Sequence, residues 1–283
     1  MEKKNKFGKI KTILLIAAAA LIVADGIFLM IRYFSDTEKK LKASEIVNPS
    51  LIEKTEFFAD ENFFDDFPDN TSYAVDYADE KNMDGIILDV HKTKDGKWVC
   101  AGTDDLKELT GAEGKIKDNT YFTIIKNNLK FKGNDGERPV VQLLDEVVGK
   151  CIDSDLVPLI NVHNKEETDS LLKILDKYLL SAKKLCFISD DFDFLQKLSQ
   201  FNPDYTFCYT VKKLSREEID RAQMFKKGCI LFDAGEEKKD DTLIYDLINK
   251  KISFGVYNLN SEKELKLYSA YKPSVIITEK LVP

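Results

Sequence analysis

Residues 85–96 read Gly85-Ile86-Ile87-Leu88-Asp89-Val90-His91-Lys92-Thr93-Lys94-Asp95-Gly96, a continuous apolar run that ends in polar residues and a turn. Such a run is typical of a buried strand in a parallel barrel, whose C-terminal end delivers polar side chains to a site. Side chains alternate along a strand, so we expect Ile87, Asp89 and His91 on one face and Leu88 and Val90 on the other. The C-terminal end of this strand is therefore the first place to look for function.

Other runs of apolar, β-branched or aromatic residues have the same character, and segments with helical spacing separate most of them. In chain order the predicted strands are Thr55–Phe58, Gly85–Val90, Val157–Val162, Leu185–Ile188, Thr206–Val211, Cys229–Phe232, Ser253–Leu259 and Val275–Thr278. The predicted helices are Ser72–Lys81, Val140–Ile152, Glu166–Leu180, Phe192–Phe201, Arg216–Phe225, Asp241–Asn249 and Glu262–Tyr271. Strands that alternate with helices indicate an α/β fold, and eight strands favour a TIM (β/α)8 barrel over an open doubly wound sheet. The segment 92–138 is too long for a simple loop, so we expect an insertion with its own short strand at Lys97–Cys100.

The N-terminal segment has the composition of a membrane anchor. An apolar run from Ile13 to Ile31, closed by Arg32, follows five lysines at positions 3, 4, 6, 9 and 11. This run is about as long as a bilayer span. We therefore predict a basic cytoplasmic N-terminus at residues 1–11, a transmembrane helix at 12–32 and a juxtamembrane segment at 33–52. The lysine excess predicts a single-pass protein whose N-terminus is cytoplasmic and whose barrel domain, 53–283, is extracytoplasmic.

A cleaved signal peptide is the alternative to an anchor, with Ala24 as the small residue before the cut. The apolar run continues from Ile27 to Ile31, which a signal peptide does not need, so the anchor is favoured. Asp25 lies inside the span, where a carboxylate costs about 2.5–3.5 kcal/mol near the bilayer centre. A carboxylate inside a membrane span can mark a contact with another membrane protein, so Asp25 is compatible with a structural partner in a membrane complex.

The composition indicates a folded domain and argues against a nucleic-acid binder. Hydrophobic residues make up 43% of the 283, with 18 Phe and 11 Tyr, which is enough to fill a sizeable core. The net charge is −7, and lysine and arginine cluster only at the N-terminus. The five cysteines lack the spacing of a disulfide framework or a zinc site, so we expect them to pack in the core.

Short motifs along the domain follow the order of one known family. They are Phe67-Pro68-Asp69-Asn70-Thr71, Asp84 to Gly96, Asn161-Val162-His163-Asn164-Lys165, Tyr257-Asn258-Leu259-Asn260 and Ile276-Ile277-Thr278-Glu279. In this order and spacing the domain resembles the glycerophosphodiester phosphodiesterase family, from about Thr55 to Pro283. The resemblance implies hydrolysis of a phosphoric diester by two histidines and a divalent metal, Ca²⁺ or Mg²⁺, held by carboxylates.

The positions that carry this chemistry have changed. The family's first histidine belongs to a His-Arg-Gly motif, where this chain has Phe57–Phe63 without histidine or arginine. The second histidine falls at Gly102. Of the three metal ligands, the first Glu aligns with Ile87, Asp89 is retained, and the last Glu aligns with His163. The resemblance therefore implies a divergent member that lacks the catalytic histidines.

Three functions follow from this resemblance. The first is a membrane-anchored, catalytically degenerate barrel that binds a glycerophosphodiester or another phosphate-containing headgroup, or acts as a regulatory module. The second is an active metal-dependent hydrolase of glycerophosphodiesters with a rebuilt site. The third is a structural partner of a membrane complex. A divalent metal is the cofactor that the family implies, and a site without any cofactor is the alternative.

The remaining polar residues at predicted strand ends supply the candidate site. His91 and His163 are the only histidines and are the candidates for catalysis; with Asp89 they approximate a metal site of two histidines and one carboxylate. The alternative is that these side chains hydrogen-bond to one another and hold the loops. The candidates for ligand binding are Lys165, Tyr257 and Asn161. Lys165 aligns with a family lysine near the phosphate and Tyr257 with a tryptophan that lines the pocket; the alternatives are a solvated lysine and core packing of the tyrosine.

Overall fold

The structure is a computed structural model, which describes residues 55–64, 67–131, 139–178, 185–235 and 241–283. All of these lie within the compact unit Pro49–Pro283. The predicted cytoplasmic N-terminus, transmembrane helix and juxtamembrane segment, residues 1–52, lie outside the described residues. Among the described helices, none is long and apolar enough to cross a membrane.

Eight parallel strands close into a barrel, which confirms the predicted fold class. In chain order the strands are β1 (Glu56–Ala59), β2 (Gly85–Lys92), β3 (Trp98–Cys100), β4 (Gln142–Leu143), β5 (Val157–Val162), β6 (Cys186–Ser189), β7 (Thr206–Val211), β8 (Gly228–Asp233), β9 (Ser253–Tyr257) and β10 (Val275–Thr278). The sheet order is β1-β10-β9-β8-β7-β6-β5-β2, and pairing of β1 with β2 closes it. The strands β3 and β4 extend from β2 as an antiparallel flap.

Helices follow the barrel strands, except for two short ones that lie between β3 and β4. They are α1 (Ser72–Glu80), α2 (Leu106–Leu109), α3 (Tyr121–Ile124), α4 (Leu144–Asp153), α5 (Thr168–Leu175), α6 (Phe192–Phe201), α7 (Arg216–Ala222), α8 (Asp241–Lys250) and α9 (Glu262–Ser269). Several begin at a residue whose side chain accepts from the first-turn backbone, as Thr71, Asp191, Ser215 and Ser261 do. These caps satisfy N–H groups that a helix leaves without internal partners.

Several predicted boundaries differ from the structure, and two of these differences have a clear local reason. The helix expected from Val140 begins only at Leu144, because Gln142 and Leu143 pair with β3 as a short strand. The strand expected to reach Leu259 ends at Tyr257, because Asn258 adopts a left-handed backbone with φ 57°. Such a residue breaks an extended strand.

The core has two layers, inside the barrel and between the barrel and its helices. The inner layer is formed by Phe58, Leu159, Cys186, Ile188, Cys208, Cys229, Leu231, Val275 and Ile277. All five cysteines are free and buried, as the sequence predicted, and the sulfur atoms of Cys186 and Cys208 lie 3.5 Å apart. The barrel interior is therefore a packed core that leaves the strand ends for function.

The register of β2 and β5 gathers polar residues at one end of this core. Asp89 lies beside Asn161, and Val90 beside Val162. The backbone N–H of His163 then donates to the carbonyl of Val90 at 3.1 Å. Because both strands run in the same direction, their polar C-terminal residues meet at the same end of the barrel.

Gly85 is required where β2 starts, and its replacement by alanine tests the closure of the barrel. A Cβ atom there would lie 2.4 Å from the carbonyl oxygen of Val157 and 2.4 Å from Cε1 of Phe58. We expect Gly85→Ala to lower the free energy of unfolding by about 2–3 kcal/mol, because the backbone of β5 has to move. Urea denaturation of the purified chain measures it.

The matched control is Gly149→Ala in the interior of α4. A Cβ atom on Gly149 would meet only the Tyr178 hydroxyl, at 3.1 Å, which is the far end of a flexible side chain. Alanine also favours a helix by about 1 kcal/mol over glycine, so the net change should be small. Equal losses in the free energy of unfolding for Gly85→Ala and Gly149→Ala would contradict the role given to Gly85.

Candidate active site at the mouth of the barrel

Asp89 is the best-connected polar side chain at the barrel mouth. It is 9% exposed, and its Oδ1 atom accepts hydrogen bonds from Asn161 Nδ2 and His163 Nε2, each at 2.8 Å. Its backbone N–H donates to Oδ1 of the buried Asn70 at 2.6 Å. The predicted face of Asp89, Asn161 and His163 is therefore present, and the 67–71 loop is tied to the same point.

The two histidines stack on one another. Their ring centroids are 4.4 Å apart and the planes differ by 5°. His163 is half-exposed, whereas His91 is 5% exposed and its Nε2 atom has no hydrogen-bond partner among the described residues. Burial first, and then the neighbouring His163, lower the pKa of His91 to about 4, against opposing effects of Asp89, Asp104 and the Ala101 backbone. His91 is therefore neutral at pH 7 and a weak proton acceptor.

The other two predicted ligand-binding residues lie elsewhere. Lys165 Nζ lies 3.4 Å from Asp190 and 3.6 Å from Asp191, and stands 5.7 Å from the centre of the Phe194 ring. The Tyr257 hydroxyl donates to the carbonyl of Val211 at 3.2 Å, and its ring packs against the barrel interior. Neither residue lines the two cavities described below. Of the three ligand-binding candidates, only Asn161 contacts Asp89.

Acidic side chains that the sequence analysis did not single out stand around Asp89. Asp60 follows β1, where its backbone N–H donates to Thr278 and its carboxylate accepts from the N–H of Glu61. Burial is the main cause that raises the pKa of Asp60 to about 6 and of Asp69 to about 6; Asp89 contributes to both. Burial also raises the pKa of Glu61, and Asp89 and Asp69 add to it. The β1 end thus carries crowded carboxylates where the family motif has histidine and arginine.

Gly102 has no side chain, and the carboxylates of Asp69 and Glu61 lie close to the position that a Cβ atom would take. A Cβ atom built on Gly102 would lie 3.3 Å from Asp69 Oδ2, 3.5 Å from Asn70 Nδ2 and 3.7 Å from Glu61 Oε2. The family's second histidine falls at this position by resemblance. Here no side chain projects from the position, and two carboxylates approach it.

Two cavities meet at Gly102 and Thr103. The His91 cavity, of about 360 Å³, is lined by His91, Lys92, Gly102, Thr103, Asp104, Lys117, His163 and Asn164. The Glu61 cavity, of about 310 Å³, is lined by Glu61, Pro68, Asp69, Cys100, Ala101, Gly102, Thr103, Glu108, Leu109, Leu129 and Lys130. Both have the size of a small-ligand site.

The residues at the family's metal position do not fit Ca²⁺ or Mg²⁺. Ile87 packs against the barrel interior, and His163 uses its Nε2 atom on Asp89. Hard cations require oxygen ligands, whereas these three positions hold one isoleucine, one carboxylate and one imidazole. With His91 added, the set becomes two imidazoles and one carboxylate, which suits a transition metal. Within the described residues, no group of three or more His, Cys, Asp or Glu side chains is arranged to hold a metal ion. The predicted metal site of Asp89, His91 and His163 stays a prediction.

The closed parallel barrel, with its polar groups at the C-terminal strand ends, defines a TIM-barrel protein whose candidate site lies at the barrel mouth. A sequence model of the Glycerophosphoryl diester phosphodiesterase family matches residues 63–282. The chain therefore belongs to this family, as the motifs indicated.

Relatives agree with this assignment. The glycerophosphodiester phosphodiesterase of Bacillus altitudinis is 33% identical over 95 residues, which cover 33% of this chain and 39% of that protein. For three curated relatives the match spans about half of their length, from 39% to 53%.

Solved structures share the fold. A phosphodiesterase of Oleispira antarctica, in complex with the product sn-glycerol-3-phosphate, aligns with a TM-score of 0.70 and 16% identity, over 79% of this chain and 92% of that one. The glycerophosphodiester phosphodiesterase of Thermotoga maritima aligns with a TM-score of 0.66 and 22% identity, over 80% and 95%.

The burial of His91 predicts an unusual titration. We expect one imidazole of the chain to titrate near pH 4, because the buried ring resists a charge beside His163. Ring chemical shifts measured by NMR between pH 3.5 and 8 report it, and His163→Gln assigns the signal. A His91 that titrates near 6.5 would show that the ring is solvated.

Because the carboxylates are crowded, replacing one of them by a neutral residue should stabilise the fold at high pH and not at low pH. Burial raises the pKa of Asp69 in the folded chain to about 6, above its ordinary value of 3.8, so ionisation of Asp69 opposes folding increasingly from pH 4 to pH 6. We expect Asp69→Asn to raise the free energy of unfolding by about 1–2 kcal/mol at pH 8 and to leave it nearly unchanged at pH 4.

Urea denaturation at both pH values measures this effect, with Asp79→Asn at the exposed end of α1 as the control. The same change at pH 4 and pH 8, or no gain at pH 8, would contradict crowding at Asp69.

Proposed function

We propose that this chain is a catalytically degenerate member of the family, which binds a phosphate-containing ligand at the barrel mouth. The observation that carries the proposal is Gly102: no side chain projects where the family has its second histidine, and the carboxylates of Asp69 and Glu61 approach the position. The first histidine position lies in a segment without histidine or arginine. Loss of one proton-transferring group typically slows a reaction by about 10²- to 10⁴-fold.

The nature of the ligand is supported by the family and by the His91 cavity. The Oleispira antarctica phosphodiesterase carries sn-glycerol-3-phosphate. In this chain Lys92 and Lys117 line the His91 cavity together with Asn164. Ammonium and amide N–H groups are donors suited to phosphate oxygens.

An active hydrolase is the alternative function, and it is favoured by the contact of His163 with Asp89 and by the carboxyl groups of Asp60 and Asp69. The hydrogen bond from His163 to Asp89, 2.8 Å long, orients an exposed imidazole as a proton-transferring group requires. Asp60 and Asp69 have pKa values of about 6, close to a working pH. These groups support, as the alternative, a metal-dependent phosphoric diester hydrolase with a rebuilt site.

We propose in addition that residues 12–32 anchor the protein as a single membrane span, with the N-terminus in the cytoplasm and the barrel outside. The proposal rests on the length of the apolar run and on the lysines before it. A reporter fused to the C-terminus, one active only outside the cytoplasm, should be active, and an inactive reporter would contradict this orientation.

Hydrolysis by the full chain tests the degenerate function. In mild detergent, with several glycerophosphodiesters and Ca²⁺, Mg²⁺, Mn²⁺ or Zn²⁺, we expect no turnover above a chelator control, because neither histidine position is filled. Calorimetry with sn-glycerol-3-phosphate should instead show binding, weakened about tenfold by Lys117→Gln.

Metal-dependent turnover that disappears in both His163→Ala and His91→Ala would overturn the degenerate function and establish the rebuilt hydrolase. Turnover that survives in both variants would also overturn the degenerate function, and it would show that neither His91 nor His163 is needed for the reaction.

A further inference from the structure

Phe122 is the most exposed large apolar side chain among the described residues, with 68% of its surface in contact with solvent. It lies on the short helix α3, between β3 and β4. Ile124 on the same helix is buried, and Tyr121 packs against the same small core. Residues three apart lie on one face of a helix, so Tyr121 and Ile124 fix α3 and leave Phe122 on the outside.

A basic patch forms around Phe122 when the chain folds. The turn between β2 and β3 lies against the start of α3: the backbone N–H of Lys94 donates to the carbonyl of Asn119, and that of Tyr121 to Asp95 Oδ1, each at 2.9 Å. On the other side of α3, the Lys126 Nζ atom stands 4.8 Å from the centre of the Phe122 ring. We define the Phe122 patch as Phe122 with the lysines at positions 94, 97, 117 and 126. These lysines do not form a run in the sequence.

The Phe122 patch is positively charged on an acidic protein. Its four lysines are exposed, and two aspartates, Asp95 and Asp118, lie among them. Asp95 already accepts from the Thr93 hydroxyl and from the backbone of Tyr121. The formal charge of the patch is therefore positive, whereas that of the whole chain is −7. A local reversal of charge attracts an anionic partner.

The combination of a projecting aromatic ring and lysines suits a bilayer surface. Elements that lie in a membrane interface place Phe, Trp or Leu towards the acyl chains and lysines towards the headgroups. Lysine stems are apolar and their ammonium groups reach outwards, so the same side chains contact both layers. Anionic lipids supply the opposite charge. A protein partner would need a pocket shaped for Phe122, whereas a fluid interface accepts any side chain that projects.

The location of the patch gives docking a direction. The turn between β2 and β3 follows the C-terminal end of β2, and Lys117 also lines the His91 cavity, so the patch lies at the mouth end of the barrel. From this juxtaposition we propose that the Phe122 patch docks on the surface of an anionic bilayer, with Phe122 in the interface and the barrel mouth towards the headgroups. Docking requires neither a phosphate ligand nor catalysis at the mouth.

Tryptophan fluorescence of the full chain in nanodiscs with brominated lipids tests this docking. Trp98 is the only tryptophan and is 1% exposed, so the unchanged chain gives the background. In discs that contain phosphatidylglycerol, we expect bromine to lower the added fluorescence of Phe122→Trp about twofold, because the ring enters the interface. Discs of phosphatidylcholine alone, or about 0.5 M salt, should restore most of it, because the attraction is electrostatic.

Phe201→Trp is the matched control for the ring. Phe201 is 53% exposed and ends α6, a helix that begins after the mouth end of β6 and runs back from it. Its fluorescence should stay unchanged. In the Phe122→Trp chain, Lys94→Gln with Lys97→Gln should remove most of the quenching. Lys263→Gln with Lys266→Gln removes the same charge from exposed positions on α9 and should leave the quenching as it is.

The outcomes separate docking from the proposed function. Unchanged fluorescence of Phe122→Trp in anionic discs, or equal quenching of Phe122→Trp and Phe201→Trp, would overturn docking through this patch. Quenching that persists without Lys94 and Lys97 would overturn the part given to the lysines. A chain that does not enter the discs would contradict the span proposed for residues 12–32. Co-sedimentation of the unchanged chain with anionic vesicles then tests the patch alone, and Phe122→Ser should weaken that binding about tenfold.

Calorimetry with sn-glycerol-3-phosphate reports on the mouth and not on the patch. Loss of phosphate binding together with quenched Phe122→Trp would overturn the proposed ligand and leave docking intact.

Discussion

The Asp89 carboxylate lies where β2 and β5 end, and it is 9% exposed. A charge at such a place is costly unless neighbouring groups donate to it. Asn161 on β5 and His163 directly after β5 provide those bonds, and Asn70 holds the backbone of Asp89 from the preceding loop. One buried carboxylate therefore fixes the position of two strands and a loop, and the stacking of His91 on His163 follows from it. The charge of Asp89 also contributes to the raised pKa values of Asp60, Glu61 and Asp69.

The barrel could be predicted because buried parallel strands are continuous apolar runs that end in polar residues, as β2 and β5 do. Alternation along each strand was enough to place Asp89, Asn161 and His163 together. The short strand β4 could not be predicted, because two residues pair with β3 only after the flap has folded. Asp60, Glu61 and Asp69 were missed for a similar reason. They lie in the connection between β1 and α1, which comes beside Asp89 only when pairing of β1 with β2 closes the barrel. The resemblance drew attention to the missing histidine in Phe57–Phe63 and gave the acidic residues there no role.

The mouth differs from the family pattern in the sign of its charges. Acidic residues follow β1, where the resemblance implies histidine and arginine, and an imidazole stands at His163, where it implies a carboxylate. An arginine beside phosphate is a strong anion ligand, and Glu61 cannot take that part. In the proposed function the phosphate therefore lies away from the β1 end, towards Lys117 and Asn164. The same exchange of charge supports both parts of that proposal, the position of the phosphate and the loss of proton-transferring groups.

The barrel interior contains sulfur where most barrels have branched aliphatic residues. Cys186, Cys208 and Cys229 lie on adjacent strands, and burial raises the pKa of Cys100 and, to about 12, that of Cys151. Cys186, Cys208 and Cys229 are packed inside the barrel, so a reagent reaches their sulfur atoms only when the barrel opens. When a maleimide reacts faster than the barrel recloses, the rate at which it labels these three cysteines is the rate at which the barrel opens. The native cysteines therefore report local opening without any engineered labelling site.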